Sequence, residues 1–295
     1  SLKTKAESKA ALRATYVERN LESCEGKKIV VIDPNKRDLL YCQDENKKIF
    51  RYTSTQRNVE TGRKNFRIWL REFTPEALSQ IQTNIPSCKT MNYDGFCDYL
   101  RYMKQNWNEL EAFYSNPVHR QMRFNTYRNT QRSEMKLIKN MKKTYGNDFV
   151  VVMGDWSDAG HTMKYQKPSK TKGWRTVFAQ HKIKCYLLDE HLTSSVCPKC
   201  MSKEYIVKGF KERLNPRPWQ RHKKKMVKVH GLLGCKNLQC IEQVGGMRYW
   251  NRDTSSTCNM LQIVKSLLDG NGRPDPFKRT SNDLSDIAST IAVPT

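Results

Sequence analysis

The sequence predicts an α/β domain built on a mixed sheet, interrupted by a helical insertion and by a small cysteine-bound module. Three observations predict it. Three short strand-like runs follow one another between residues 29 and 52. Two further apolar runs, near residues 150 and 185, alternate with helical stretches. Two cysteine pairs, Cys197-x-x-Cys200 and Cys235-x4-Cys240, flank a long stretch rich in Lys and Arg.

Residues 1–26 are polar and charged, a linker segment with no core of its own. Ile29-Val30-Val31-Ile32 is apolar at every position, as a central strand covered on both faces reads. Asp33-Pro34-Asn35 then signals a turn. Leu39–Cys42 and Ile49–Tyr52 complete a three-stranded meander. From about 60 to 116 the pattern is helical, with breaks at Pro75, Pro86 and Pro117, and Cys97, Leu100, Trp107 and Leu110 recur at helical steps.

Residues 118–143 read as one long helix with Met122, Met135, Ile138 and Met141 as a thin apolar stripe. Its other faces carry Arg120, Arg123, Arg128, Arg132, Lys136, Lys139, Lys142 and Lys143 against the single acid Glu134. Like charges along a helix repel one another, so this face predicts phosphate contact rather than a merely solvated surface. Phe149–Met153 is the fourth strand, closed by Gly154-Asp155-Trp156-Ser157. A short helix over Trp174–Lys182 and a fifth strand over Ile183–Leu188 follow. Asp253–Leu268 is helical, with Met260, Val264, Leu267 and Leu268 facing inward and Gly270 ending it.

This order of elements is that of the RNase H-like α/β fold, in which the fourth strand lies beside the first and the fifth beside the fourth. It divides the chain into 27–194 (with a helical insertion at about 60–145), a cysteine insert at 195–245, a closing helix at 246–270 and a flexible tail at 271–295.

Fifty-three basic residues against 29 acidic ones give a formal charge of +24, spread widely along the chain. That balance points to a polyanionic partner. No apolar run reaches the roughly 18 residues that a membrane span needs. Of the ten cysteines, Cys24, Cys42, Cys88, Cys97, Cys185 and Cys258 are scattered and read as small core residues in a reducing compartment. The other four form a set suited to zinc held by thiolates, with 34 residues between Cys200 and Cys235. His222 and His230 are further candidate ligands. Between the pairs, Tyr205, Phe210 and Trp219 are interleaved with basic residues, a composition suited to single-stranded nucleic acid. Lys223-Lys224-Lys225 also fits a nuclear import signal.

Phosphodiester hydrolysis at neutral pH is served by two divalent cations held by carboxylates from separate segments. Asp33 ends the central strand and Asp253 begins the last helix, where the helix dipole favours an ionised carboxylate. Each alone has a plainer explanation, a turn residue and an N-cap. Together, in this order of elements, they predict a site for two Mg²⁺ ions.

At these residues the sequence resembles a family. IVVIDPNKRDLLY is similar to the first RuvC motif, and YWNRDTSSTCNM to the third, of the TnpB and Fanzor RNA-guided nucleases. CPKC and CKNLQC match that family's zinc ribbon, and GDWS and the DPNKR turn are closer to the Fanzor branch. The resemblance covers about 27–270. It implies an RNA-guided DNA endonuclease with a guide RNA, target DNA, Zn²⁺ and Mg²⁺. It also implies a nuclear location, and a recognition half in the same or a companion chain.

The family's second motif ends in a metal-binding Glu, but here that position is Gly154. Fanzor proteins share the departure, and the resemblance implies that a relocated glutamate, Glu190, replaces it beside Asp33 and Asp253. Asp155, Asp158 and Asp189 are its rivals. Arg120, Arg123, Arg128, Arg132 and Lys136 are the candidate contacts to the guide–target backbone. Where the family has Asn two residues after Asp253, this chain has Ser255, while Arg252 and Asn259 are retained. Two other classes fit parts of the pattern: an idle nucleic-acid-binding module, and a cut-and-paste transposase on the same fold.

Overall fold

The computed structural model describes residues 15–155 and 170–279. Residues 1–14, residues 156–169 with Asp158, and residues 280–295 lie outside the described residues. The chain divides into two compact units, Ser54–Leu137 and the remainder.

The larger unit is organised by a five-stranded sheet of β1 (Lys28–Asp33), β2 (Asp38–Asp44), β3 (Ile49–Thr53), β4 (Phe149–Gly154) and β5 (Cys185–Leu188). The strand order is β3-β2-β1-β4-β5. Strand β1 pairs antiparallel with β2 and parallel with β4, and β4 pairs parallel with β5. The fourth strand therefore lies beside the first and the fifth beside the fourth, as expected from the sequence. Every residue of β1 after Lys28 is buried, which is why the run is apolar on both faces.

Register decides where the chemistry falls. Ile32 is level with Met153, and Gly154 with Leu188, so the three parallel strands end at one edge of the sheet. Side chains alternate along a strand. Ile29, Val31, Val150, Val152, Tyr186 and Leu188 share a core with Met260, Ile263, Val264 and Leu267 of the last long helix. By the same alternation Asp33, Gly154 and Glu190 belong to that helix-covered face.

The helical unit contains α1 (Ser54–Glu60), α2 (Arg63–Phe73), α3 (Glu76–Thr83), α4 (Tyr93–Gln105) and α5 (Trp107–Tyr114). It also holds most of α6 (Pro117–Tyr145). Two sequence expectations fail here. Met135 is exposed, and the inward positions of α6 are His119, Ser133, Glu134 and Leu137, followed by Ile138 and Met141. Glu134 is inward because it pairs with the buried Arg57 at 2.9 Å, so a polar pair fills a place that hydrophobicity assigned to methionine. Leu100 and Trp107 are also exposed. Leu110 is the member of that expected stripe that is buried.

After β4 come α7 (Thr171–Gln180), then β5, then the cysteine insert. The insert holds β6 (Ile206–Lys208), the hairpin β7 (Glu212–Leu214) and β8 (Met226–Lys228), then β9 (Leu232–Cys235), α8 (Leu238–Glu242) and β10 (Arg248–Asn251). Strands β10, β9 and β6 form a small sheet in that order. Strand β10 runs directly into α9 (Arg252–Leu268), which packs across β1 and β2. The insert thus ends where the helix carrying Asp253 begins. Of the scattered cysteines, Cys24 and Cys42 are core residues, while Cys88 lies on the surface.

Candidate active site and cysteine centre

Asp33, Glu190 and Asp253 line one cleft of about 770 Å³ at the edge where the parallel strands end. Asp33 reaches it as the last residue of β1 and is almost wholly buried. Asp253 reaches it from the first turn of α9, whose start is fixed by the Asn251 side chain accepting the Asp253 and Thr254 amides. Asn35, in the turn after β1, donates from Nδ2 to Asp253 Oδ1 at 3.2 Å, tying the first and last acidic segments together.

Glu190 arrives by the route that the missing side chain leaves open. A Cβ placed on Gly154 would overlap the Glu190 carboxyl group, and even Glu190 Cγ would lie 2.7 Å from it. The Glu190 side chain therefore occupies the space in which a residue at 154 would grow. Its Oε1 is buried and makes no hydrogen bond. A buried carboxylate oxygen without a donor is costly, and a cation is one of the few groups that offsets the cost.

The charges agree with the geometry. Burial, followed by the charge of Asp253, pushes the Asp33 carboxyl up to about 7. Burial, followed by the charges of Asp33, Asp155 and Asp189, holds Glu190 well above the usual carboxylate range. Asp253 is raised by burial and then by Asp38. Carboxyl groups gathered out of water suppress each other's ionisation unless positive charge is brought among them.

The two rivals of Glu190 among the described residues, Asp155 and Asp189, are otherwise engaged. Asp155 Oδ2 accepts the Tyr16 hydroxyl at 2.9 Å, and burial together with that bond raises the tyrosine to about 12. Asp189 is held by Arg279 through two bonds of 2.7 and 2.8 Å, and Arg273 donates to its carbonyl at 2.6 Å. Despite burial, these guanidinium contacts keep Asp189 below its ordinary value. Asp38, also in the cleft, is clamped by Arg51 at 2.8 and 2.9 Å. Tyr16, Asn35, Arg51, Arg273 and Arg279 were missed from the sequence. Most of these partners are far apart in the chain, and no local pattern marks them.

Helix α9 also secures the segment between Glu190 and the cysteines. Asn259 Nδ2 donates to the carbonyls of Thr193 (2.7 Å) and Val196 (2.8 Å), and Gln262 Nε2 to that of Pro198 (2.7 Å). Ser255, buried, makes only a long 3.5 Å bond to Val196. The anchoring therefore rests on Asn259 and Gln262.

Cys197, Cys200, Cys235 and Cys240 bring their sulfurs within 4.8 Å of one another. The Cys197–Cys240 and Cys200–Cys235 separations are 4.0 and 3.7 Å. Four thiolates about 2.3 Å from a tetrahedral zinc stand roughly 3.8 Å apart, so this group fits the ion. Burial acts against Cys197 ionising, but backbone amides of Cys200 and Lys199 turn toward its sulfur and bring it below its ordinary value. His222 and His230 are not part of the group. Among the described residues no other cluster of three ligand atoms closes to 4.8 Å. The three carboxylates line one cleft but do not meet that criterion.

On α6, Arg120, Arg123, Arg128 and Arg132 are exposed, with Phe124 and Tyr127 exposed between them. The Lys136 ammonium, also exposed, pairs with Glu60 at 3.0 Å. Among the described residues no helix is long and apolar enough to cross a membrane.

No protein-family model and no curated protein matches the sequence. Among solved structures, CasPhi-2 (Cas12j) bound to crRNA and phosphorothioate-DNA is 12% identical, with a TM-score of 0.43 over 92% of this chain and 48% of the other. CasPhi-2 bound to crRNA is 14% identical, with a TM-score of 0.44 over 92% of this chain and 51% of the other. The chain spans about half the length of these proteins.

Proposed function

We propose that this chain is the nuclease portion of an RNA-guided, metal-dependent DNA endonuclease of the TnpB and Fanzor type, built on an RNase H-like RuvC domain with an inserted zinc ribbon. The observation that carries it is the Glu190 carboxylate lying across Gly154 into the cleft of Asp33 and Asp253, with one buried oxygen unpartnered. A fold retained only for binding has no need of three carboxyls gathered in one cleft, one of them buried and two half-buried, whose charges oppose one another's ionisation. Such a cluster lowers stability and is kept where it does chemistry.

Asp33, Glu190 and Asp253 would hold two Mg²⁺ ions. The donor set is all oxygen, the hard ligand that Mg²⁺ prefers. When bound, the ions supply charge neutralisation at the attacked phosphate and activate water for attack. The protein's own part is placement. Asn35 orients Asp253, while Arg51 neutralises Asp38 and Arg279 neutralises Asp189, so these two neighbouring acids are already paired. The cysteine centre would hold Zn²⁺ as a structural ion, closed on all four sides.

Guide RNA and target DNA are the partners that the excess of positive charge and the face Arg120–Arg132 of α6 support, through backbone contacts that ignore sequence. Lys223–Lys225, exposed on the insert, support nuclear import. The test uses the complete protein with its guide RNA. Asp33→Ala, Glu190→Ala and Asp253→Ala should each abolish cleavage while DNA binding persists, and Asp155→Ala should cleave. An active Glu190→Ala variant would move the third ligand elsewhere and end this assignment.

A further inference from the structure

The segment that delivers Glu190 stands outside the sheet. Strand β5 ends at Leu188, so the carbonyls from there on lack ladder partners and must find others. The Leu188 carbonyl accepts the Asp155 amide at 3.0 Å. That of Asp189 accepts Arg273 Nη2 at 2.6 Å. The carbonyl of Glu190 accepts both the amide (3.1 Å) and the hydroxyl (3.0 Å) of Thr193. The Glu190 side chain has no such support, since its buried Oε1 makes no hydrogen bond. Its place is set by the backbone that carries it.

Two arginines hold that backbone. Arg273 donates from Nη2 to Asp189, from Nη1 to Glu18 Oε1 at 3.0 Å and from Nε to the Phe277 carbonyl at 2.9 Å. A planar guanidinium spent on three segments at once makes a stiff joint. Arg279 forks onto the Asp189 carboxylate at 2.7 and 2.8 Å. The same carboxylate accepts the His191 amide at 3.0 Å through Oδ1, which closes a turn with Glu190 as its middle residue. Arg279 therefore grips the side chain that shapes the Glu190 backbone, and Arg273 grips the carbonyl just before it.

Both grips are anchored. Phe277 and Val17, the neighbour of Glu18, are fully buried in the core that contains Leu188, Met260 and Val264. Ser266 of α9 donates to the Gly272 carbonyl at 2.7 Å, so the chain leaves that helix in a fixed direction. Helix α9 carries Asp253 at its start and ends about 24 Å away. The residues after it run back to Asp189, within the ~33 Å that about ten residues span. One continuous run, 253–279, thus supplies one carboxylate of the cleft and holds the mount of another.

We propose that Arg273 and Arg279 are positioning residues for Glu190, fixing the Asp189 turn so that the Glu190 carboxylate meets a divalent cation shared with Asp33 and Asp253. The proposal rests on the assignment of these three carboxylates as metal ligands. The arginines act through the turn, and their loss leaves all three carboxylates in the chain but one of them loosely held. Partners that orient a metal ligand are typically worth ten- to a hundredfold in metal affinity.

The experiment uses the full chain, zinc-replete, and reads Mn²⁺ binding by electron spin resonance, Mn²⁺ being a cation that carboxylates suit. Arg279→Gln and Arg273→Gln should each weaken Mn²⁺ about tenfold with zinc content unchanged. Arg279→Lys should recover part of the loss, because an ammonium keeps one of the two bonds. Lys278→Gln removes an exposed ion pair with Asp275 from the same segment and should change nothing. In a Glu190→Gln background, Arg279→Gln should cost no further affinity, whereas a general loosening of the fold costs the same in both backgrounds. Arg279, a third exposed, decides the matter alone should Arg273→Gln fail to fold. Undiminished Mn²⁺ affinity in Arg279→Gln, or an equal loss in the Glu190→Gln background, would overturn the proposal. Failure of the ligand assignment reads differently: Glu190→Gln by itself then binds Mn²⁺ as tightly as the parent.

Discussion

The cysteine centre and the carboxylate cleft begin seven residues apart, at Cys197 and Glu190, yet they solve opposite problems. The four sulfurs come as two local pairs, one on a turn and one from the end of β9 and the short helix α8, already at the spacing that a tetrahedral ion requires. The three carboxylates come from a strand end, a segment beyond another strand and a helix start, and they repel one another in a partly exposed cleft. The first is a closed structural knot, the second an open and strained arrangement. A structural site can be satisfied by one ion and left alone, whereas a reacting site must keep room for substrate.

The largest expected effect breaks the first half of that contrast. Cys235→Ser removes one of four ligands, and zinc binding in small modules is worth ~10–16 kcal/mol of apparent folding energy at neutral pH. The variant should lose zinc by elemental analysis, and amide protection should fall across residues 206–208 and 232–235. Because β10 continues into α9, protection should also fall at the first turn of that helix, around Asp253. Asp33→Asn should leave zinc content and this protection unchanged. If zinc and protection survive in Cys235→Ser, the cluster is four reduced thiols and no ion.

The next effect is smaller and concerns the space above Gly154. Gly154→Ala places a methyl group inside the Glu190 carboxylate, and overpacking of this kind costs ~1–3 kcal/mol. Glu190→Ala should do the reverse, raising the melting temperature by removing an acid that its neighbours repel and that holds one buried, unpartnered oxygen. Adding Gly154→Ala to Glu190→Ala should then cost almost nothing, since the space has been vacated. The pair is strongly coupled if this holds. Additive losses in the double variant would mean that the glutamate does not lie where the carboxylate cleft needs it.

The same contrast explains what the sequence could and could not reveal. Ile29–Ile32 announces a central strand because burial on both faces demands an apolar run, and the Cys-x-x-Cys spacing announces a ligand pair because the ligands are local. Asp33 and Asp253 are legible as the ends of strong elements. Glu190 is not legible from spacing at all. Its role depends on Gly154 being level with Leu188 across two parallel strands, a register that no local pattern encodes. The supports of the cleft are hidden for the same reason: Tyr16 meets Asp155, and Arg279 meets Asp189, only after the chain has folded. On α6 the periodicity misplaced Met135 because a buried Arg57–Glu134 pair, not an apolar contact, fills the inward face.

The smallest effect tests the electrostatic half of the comparison. Burial and the charge of Asp253 raise Asp33 from the usual carboxylate range to about 7, and Glu190 is raised as well. A raised acid favours the neutral form in the folded state. Its contribution to stability is complete below about pH 4 and is lost as pH climbs from there through about 7. Ions that bind the charged carboxylates should return that loss, and only where the groups have ionised. Mg²⁺ should therefore raise the melting temperature by a few degrees at pH 8 and hardly at pH 5.5, since tenfold saturation corresponds to roughly 1.4 kcal/mol. Asp33→Asn should remove most of the difference between the two pH values. The cysteine centre should be indifferent throughout, its zinc content the same with and without Mg²⁺. An equal Mg²⁺ shift at both pH values, or one that survives Asp33→Asn, would place magnesium binding outside this cleft.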